Sequence, residues 1–210
     1  MTQQTKKVFI SFDIETVVSK FSKNFDYKVT ILQGALEIAK LLEEKKIKAT
    51  FFISLSPKAK DKDIYKYLSE IRLLVRCLKG FEYVDMQPHL HALNIPVSFK
   101  CDSDSFDDYT LDQQVELLKW AKNFFLELGV DVSGFRPGGF NNGRFYYKAL
   151  QLAGYSFSST LNTKSHNIDL ISREIDKFDA YSSINGIKEF YVISVNIKSI
   201  KLGLIETINL

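Results

Sequence analysis

Short apolar segments alternate with amphipathic helical segments along most of this 210-residue chain, and this alternation most constrains its fold. Segments such as 48–53 are rich in β-branched and aromatic residues and carry apolar side chains on both faces, as strands inside an α/β sheet do. The pattern predicts a mostly parallel sheet, either open or closed into a barrel. The predicted strands cover residues 7–13, 48–53, 81–87, 132–135, 155–161 and 190–195, with 198–208 as a further candidate. The predicted helices cover residues 30–46, 63–79, 110–128 and 142–153.

Composition sets the class of protein. At about 150 residues per domain, residues 1–210 are expected to form a single domain. Lys and Arg exceed Asp and Glu by 28 to 25 and are scattered along the chain, so no nucleic-acid partner is expected. Cys77 and Cys101 are too few for a disulfide scaffold or a thiolate zinc site and are expected to be reduced.

The sequence shows neither a signal-peptide pattern at its beginning nor the roughly 18 consecutive apolar residues of a membrane span. We therefore expect a cytoplasmic protein without a transmembrane segment. Its oligomeric state cannot be predicted from these features.

Polar side chains follow three of the predicted strands. Asp13 and Glu15 come at the end of the first, His89 and His91 follow the third, and Arg136 follows the fourth. In an extended chain residues i and i+2 face the same way, so each pair presents two side chains on one side. The carboxyl ends of parallel strands meet at one edge of the sheet, which is where active sites of such folds lie.

Two imidazoles and a carboxylate are a sufficient protein ligand set for a catalytic zinc or a similar divalent ion with an open position for water. Each motif alone also has an interpretation without a function. A D-x-E pair is common in solvated turns, and an H-x-H pair can be two polar residues at the surface. A single arginine usually forms a surface ion pair. Their occurrence at the ends of successive predicted strands favours a functional site.

Five segments in order resemble the motifs of the polysaccharide deacetylase (NodB-homology) superfamily. The similarity extends from about residue 7 to residue 160 and is closest to the branch found in surface-polysaccharide biosynthesis clusters, with D-x-E and H-x-H motifs. It implies a distorted or incomplete (β/α)7-type barrel of mostly parallel strands. The segments are 11–15, 49–53, 86–91, 134–140 and 153–159.

The resemblance also implies roles for individual residues. Asp13 matches the catalytic base, and Arg136 matches the arginine that holds this base. Glu15, His89 and His91 match the metal ligands, with Zn²⁺ as the most expected ion. The implied reaction is metal-dependent hydrolysis of an N-acetyl (or O-acetyl) group on a sugar or polysaccharide precursor, and for an N-acetyl group the bond broken is a C–N bond outside a peptide.

Backbone N–H groups of Gly138 and Gly139 fall where the superfamily builds part of its oxyanion hole. The superfamily also has a late histidine that protonates the leaving group, whereas no histidine follows His166 here. His166 is the candidate for this acid; otherwise the acid is lost, or the segment that carries it is not in this chain. The tryptophan-bearing motif is absent as well, since Trp120 lies at a core position of a predicted helix.

Two alternatives remain open. A catalytically degenerate deacetylase-like domain would bind a glycan without turnover, consistent with the missing late histidine. Residues 12–16 also resemble the first motif of DEDD-type 3′–5′ exonucleases, which bind two metals through clustered carboxylates. The exonuclease interpretation leaves His89, His91 and Arg136 without a role.

Overall fold

The computed structural model describes residues 9–15, 31–57, 63–161, 181–190 and 192. Seven strands form one sheet in the order β1-β2-β3-β4-β5-β7-β6. The strands are β1 Ser11–Ile14, β2 Ala49–Ser54, β3 Val84–Leu90, β4 Gly134–Pro137, β5 Phe157–Ser158, β6 Tyr181–Ile184 and β7 Ile187–Phe190. The helices are α1 Gln33–Lys45, α2 Ile64–Leu78, α3 Leu111–Leu126 and α4 Tyr146–Leu152.

The sheet is mostly parallel, as the alternation of strands and helices predicts. Every neighbouring pair is parallel except β6 and β7, which form an antiparallel hairpin. Within the described ranges β1 and β6 each pair with one neighbour, so the sheet is not closed. The sheet nonetheless curls, and the curl brings the ring of Phe9, just before β1, to 5.0 Å from the ring of Phe190 at the end of β7. The architecture is thus a distorted, incomplete barrel.

Side-chain caps start two of the helices. The side chain of Asp63 accepts hydrogen bonds from the backbone N–H groups of Tyr65 and Lys66 at the start of α2. Thr110 and Gln113 form a reciprocal capping box that starts α3. Thr30, with which the predicted helix at 30–46 begins, lies outside the described residues, and Leu32 occupies the N-cap position of α1 without a side-chain hydrogen bond.

The boundaries of two strands and one helix differ from the predicted ones. The third strand is predicted to end at Gln87, but β3 continues through Pro88 to Leu90, and its pairing with β4 begins after the proline, at His89, because Pro88 has no N–H to donate. Only residues 157–158 of the predicted fifth strand pair in the sheet. Helix α4 starts at Tyr146 rather than at residue 142, and residues 141–145 form a loop before it.

The end of the chain also differs from the prediction. The β6–β7 hairpin was missed, although its Asn185-Gly186 turn, with φ of 50° and 78°, is the dipeptide typical of a type I′ hairpin turn. The predicted strand at 190–195 falls mostly outside the described residues, as does the candidate at 198–208. Those two predictions therefore stay predictions.

The core lies between the sheet and the helices. Strand β2 contributes Phe51 and Ile53, both fully buried, and the expected packing role of Trp120 is confirmed by its half-buried contact with the core from α3. Strand β1 lies at the edge of the sheet and is more exposed than an inner strand, since Ser11 and Asp13 are both exposed. None of the described helices is long and apolar enough to cross a membrane.

Candidate active site

The polar side chains predicted to meet do meet, at the carboxyl ends of β1, β3 and β4. Asp13 lies within β1 and Glu15 directly after it, His89 lies in β3 and His91 directly after it, and Arg136 lies in β4. His89 pairs with Arg136 across the β3–β4 ladder. The site thus lies where parallel strands present their carboxyl ends, at one edge of the sheet.

Glu15, His89 and His91 form a three-residue group whose ligand atoms lie within 4.8 Å of one another. Glu15 Oε2 is 3.4 Å from His89 Nε2 and 2.9 Å from His91 Nε2. A tetrahedral ion bound at about 2.1 Å keeps its ligand atoms about 3.4 Å apart, which is comparable with the two distances from Glu15. These three residues can therefore hold a metal.

The ring nitrogens of His89 are assigned by the hydrogen bond that one of them makes. Nδ1 lies 3.0 Å from the carbonyl oxygen of Arg136, which can only accept, so Nδ1 carries the proton and donates it. The other ring nitrogen, Nε2, faces Glu15. This is the arrangement in which a histidine is oriented to bind a metal.

His91 is buried between two carboxylates. Its Nε2 faces Glu15, and its Nδ1 lies 2.8 and 2.9 Å from the two carboxylate oxygens of Asp104. Burial lowers the pKa of His91, but the hydrogen bonds and charges of Asp104 and Glu15 outweigh burial and raise the pKa to about 9. In the absence of a metal this imidazole is therefore held as a cation.

Beside the three-residue group, Arg136 holds Asp13. Its Nη1 donates to Asp13 Oδ1 at 2.5 Å, and its Nη2 donates to Ser11 Oγ at 2.9 Å and to Ser159 Oγ at 2.7 Å. Its Nε donates to the Ser159 carbonyl, and the guanidinium stacks 3.9 Å above the ring of Phe52. The arginine is 3% exposed, whereas the Asp13 side chain is 28% exposed. Asp13 is thus held by a buried arginine and remains accessible to solvent, so its carboxylate can act on a substrate.

The glycines after β4 lie against the same site. Gly138 is buried, and a Cβ at this position would lie 2.4 Å from Nδ1 of His91. Gly139 is exposed and has a φ of 60°, a backbone conformation that favours glycine. Part of the requirement for glycine here is therefore the close packing of the chain against a histidine ring.

Sequence reasoning missed three residues that contact the candidate site residues. Ser11 and Ser159 bind Arg136, and Asp104 binds His91. The cluster of aspartates in the 92–108 loop was a visible signal, but nothing in the sequence singles out Asp104 among them. His166 lies outside the described residues.

Comparison with known proteins gives a result only at the level of structure. No protein-family model matches the sequence, and no curated protein matches it by sequence. Solved structures do match the fold. A presumptive polysaccharide deacetylase from Mycobacterium smegmatis is 14% identical with a TM-score of 0.55, over 89% of this chain and 58% of that protein.

Two further structures match at a similar level. A Streptococcus pyogenes deacetylase solved in complex with acetate is 15% identical with a TM-score of 0.55, over 98% of this chain and 72% of that protein. A 4-α-glucanotransferase from Thermococcus litoralis is 14% identical with a TM-score of 0.56, over 96% of this chain and 30% of that protein. The chain shares its fold with deacetylases, and a protein of another activity also has this fold, so function must be argued from side chains.

Proposed function

We propose that this protein is a metal-dependent deacetylase that hydrolyses an N-acetyl (or O-acetyl) group on a sugar or polysaccharide precursor. The observation that carries the proposal is the Glu15, His89 and His91 group standing beside an aspartate that a buried arginine holds. A metal-ligand group and a fixed, accessible carboxylate are what metal-assisted hydrolysis requires.

Glu15, His89 and His91 would hold the ion, and a donor set of two imidazoles and one carboxylate favours Zn²⁺. A zinc ion in such a site supplies Lewis acidity toward an acetyl carbonyl and lowers the pKa of a bound water. The protein keeps both histidines buried, which directs their Nε2 atoms and limits their motion. Three protein ligands would leave a position open for water or substrate.

Asp13 would act as the general base. Arg136 fixes the orientation of this carboxylate through a charged hydrogen bond. In that state the exposed side of the carboxylate accepts a proton from the attacking water. Backbone N–H groups near Gly138 and Gly139 would stabilise the oxyanion, and His166 would donate a proton to the leaving amine.

The structural matches support this proposal without deciding the substrate. Two of the similar structures described above are of deacetylases, and one of those was solved in complex with acetate. This chain spans 58% of the length of the first of these deacetylases. We further propose, from the D-x-E and H-x-H motifs, that the substrate is a glycan precursor in surface-polysaccharide biosynthesis.

A second candidate is a degenerate domain that binds an acetylated glycan without turnover. It is favoured by one specific observation. The chain has three histidines, of which two belong to the metal group, and no histidine follows His166 where the superfamily has its late proton donor. The exonuclease alternative has less support, because the group of possible metal ligands found among the described residues contains two histidines and one carboxylate rather than clustered carboxylates.

The proposal is tested with the purified full chain loaded with Zn²⁺. We expect release of acetate from N-acetylglucosamine oligosaccharides or from an O-acetylated glucose, measured by a coupled acetate assay. Asp13→Asn is expected to keep the metal and to abolish turnover, because the amide cannot accept the proton. An Asp13→Asn protein as active as the wild type would remove Asp13 as the base.

Metal analysis separates the candidates. We expect one ion per chain in the wild type and none in His89→Ala or His91→Ala. Full metal content in both variants would contradict the ligand assignment. A metal-loaded protein that binds these sugars and releases no acetate points to the degenerate domain, whereas Mg²⁺-dependent degradation of single-stranded DNA points to the exonuclease.

A further inference from the structure

The loop between β3 and α3 carries four aspartates, and one of them reaches the candidate metal group. Asp104 places both carboxylate oxygens within 2.9 Å of His91 Nδ1, while the opposite ring nitrogen, Nε2, faces Glu15. The contact joins residues 13 positions apart.

We propose that Asp104 is a positioning residue, which orients His91 so that its Nε2 binds the metal. This inference rests on the proposed metal site. A carboxylate that accepts the Nδ1 proton selects the tautomer whose Nε2 lone pair is free for an ion. The same negative charge makes the imidazole a stronger donor to the metal.

The geometry argues against Asp104 as a metal ligand. It contacts Nδ1, whereas Glu15 contacts Nε2, so the His91 ring lies between the two carboxylates. The group of atoms close enough to share one ion includes Glu15, His89 and His91 and does not include Asp104. Asp104 therefore acts through the imidazole.

A positioning residue must itself be held, and the loop provides this. The hydroxyl of Tyr109, which is buried, accepts a hydrogen bond from the N–H of Ser103 and lies within hydrogen-bond distance of the carbonyls of Ala92 and Ser103. On the other side of Asp104, Phe106 is fully buried against the core. Asp104 thus stands between two anchored residues, which fixes the direction of its carboxylate.

The neighbouring aspartates of the loop have other partners. Asp102 forms an exposed ion pair with Lys100 at 3.0 Å, and Asp107 accepts the backbone N–H of Arg144 at 2.7 Å. Asp108 binds the hydroxyl of Ser103. Asp102 is therefore a matched control: the same residue type, two positions away, with its ion pair to Lys100.

The test is Zn²⁺ binding by the full chain, stripped of metal and titrated in a calorimeter with zinc chloride. Removing a carboxylate that orients a metal-bound histidine typically weakens metal affinity about 10- to 100-fold. We expect this loss for Asp104→Ala and a change of less than about twofold for Asp102→Ala. Asp104→Asn, which keeps an oxygen acceptor for the Nδ1 proton, is expected to recover part of the affinity.

The outcomes distinguish this inference from the proposed function. If the wild type binds no zinc, the proposed metal site fails and this inference fails with it. If the wild type binds zinc and Asp104→Ala binds it equally well, only the positioning role is overturned. An Asp104→Asn protein that binds no better than Asp104→Ala also overturns it, because hydrogen-bond acceptance would then not be what Asp104 provides. Thermal unfolding of the metal-free variants checks that each one is folded.

Discussion

At the scale of single residues, Arg136 connects the two halves of the candidate site. Its carbonyl oxygen accepts from His89 Nδ1, on the metal side, and its guanidinium binds Asp13, on the side of the proposed base. The first contact belongs to the main chain and the second to the side chain. Substitution of Arg136 can therefore separate metal binding from catalysis.

We expect Arg136→Lys to lower kcat about 100-fold while the metal content stays near that of the wild type. Lysine offers a single charged group in place of a planar fork, so the bonds to Ser11 and Ser159 cannot all be kept and Asp13 loses its fixed direction. Steady-state kinetics with metal analysis measures both effects. Arg144→Lys, at an exposed arginine, is the control. Unchanged kcat in Arg136→Lys would contradict the role given to the guanidinium.

Gly138 illustrates a steric constraint at one residue. We expect Gly138→Ala to displace the His91 ring, because the new methyl group would lie 2.4 Å from Nδ1. Overpacking of this kind costs about 1–3 kcal/mol in the free energy of unfolding, and zinc affinity should fall with it. Gly34→Ala in α1, where a Cβ meets nothing within 4 Å, is the matched control. Denaturant unfolding and zinc titration measure the two effects, and a Gly138→Ala protein equal to the control in both would contradict this packing.

At the scale of elements, β7 supports the segment that holds Arg136. Glu189 is fully buried in β7, and its Oε1 accepts the backbone N–H groups of Thr160 at 2.6 Å and Leu161 at 3.0 Å. These residues follow Ser159, whose hydroxyl and carbonyl bind Arg136. A strand late in the chain thus fixes the loop after β5 and, through that loop, the arginine.

We expect Glu189→Ala to destabilise the protein by about 1–3 kcal/mol for each buried N–H group left without a partner. Glu189→Gln should stay close to the wild type, because its Oε1 can accept the same two donors. Burial also raises the pKa of Glu189, and glutamine has no charge to bury. Denaturant unfolding compares the two variants. Equal destabilisation by Ala and Gln would show that these hydrogen bonds are not what Glu189 contributes.

At the scale of the whole molecule, the buried His91 makes global stability depend on pH. Its pKa in the folded protein is raised from 6.5 to about 9, so protonation favours the folded state of the metal-free chain. The contribution is complete below pH 6.5 and is lost as the pH rises through 9. A shift of this size corresponds to about 3 kcal/mol at most. Zinc binding at Nε2 would replace that proton.

We therefore expect the metal-free protein to lose stability between pH 6.5 and pH 9, and added zinc to raise the unfolding temperature more at pH 9 than at pH 6.5. Thermal unfolding with and without a chelator measures this. The control is His91→Gln, which lacks the titrating group and should lose this part of the pH dependence. A wild-type profile that matches the His91→Gln profile would contradict the assignment.

The sequence alone determined the layered class of the fold and the edge of the sheet at which the polar side chains meet, while the choice of Glu15 rather than Asp13 as a metal ligand came from the resemblance to the deacetylase superfamily. The fold class and the edge both follow from local geometry: apolar periodicity distinguishes strands from helices, and residues two apart on a strand, such as His89 and His91, face the same way. Because the carboxyl ends of parallel strands meet at one edge, Glu15 and Arg136 could be placed with them.

Only the tertiary structure decided what holds these residues in place. Asp104 reaches His91 across 13 positions, Ser159 reaches Arg136 across 23, and Glu189 reaches Thr160 across 29. Such contacts depend on how loops pack and on the register of distant strands, and no spacing in the sequence encodes either. The sequence therefore specified the side chains that can react, while long-range packing determined which neighbours orient them.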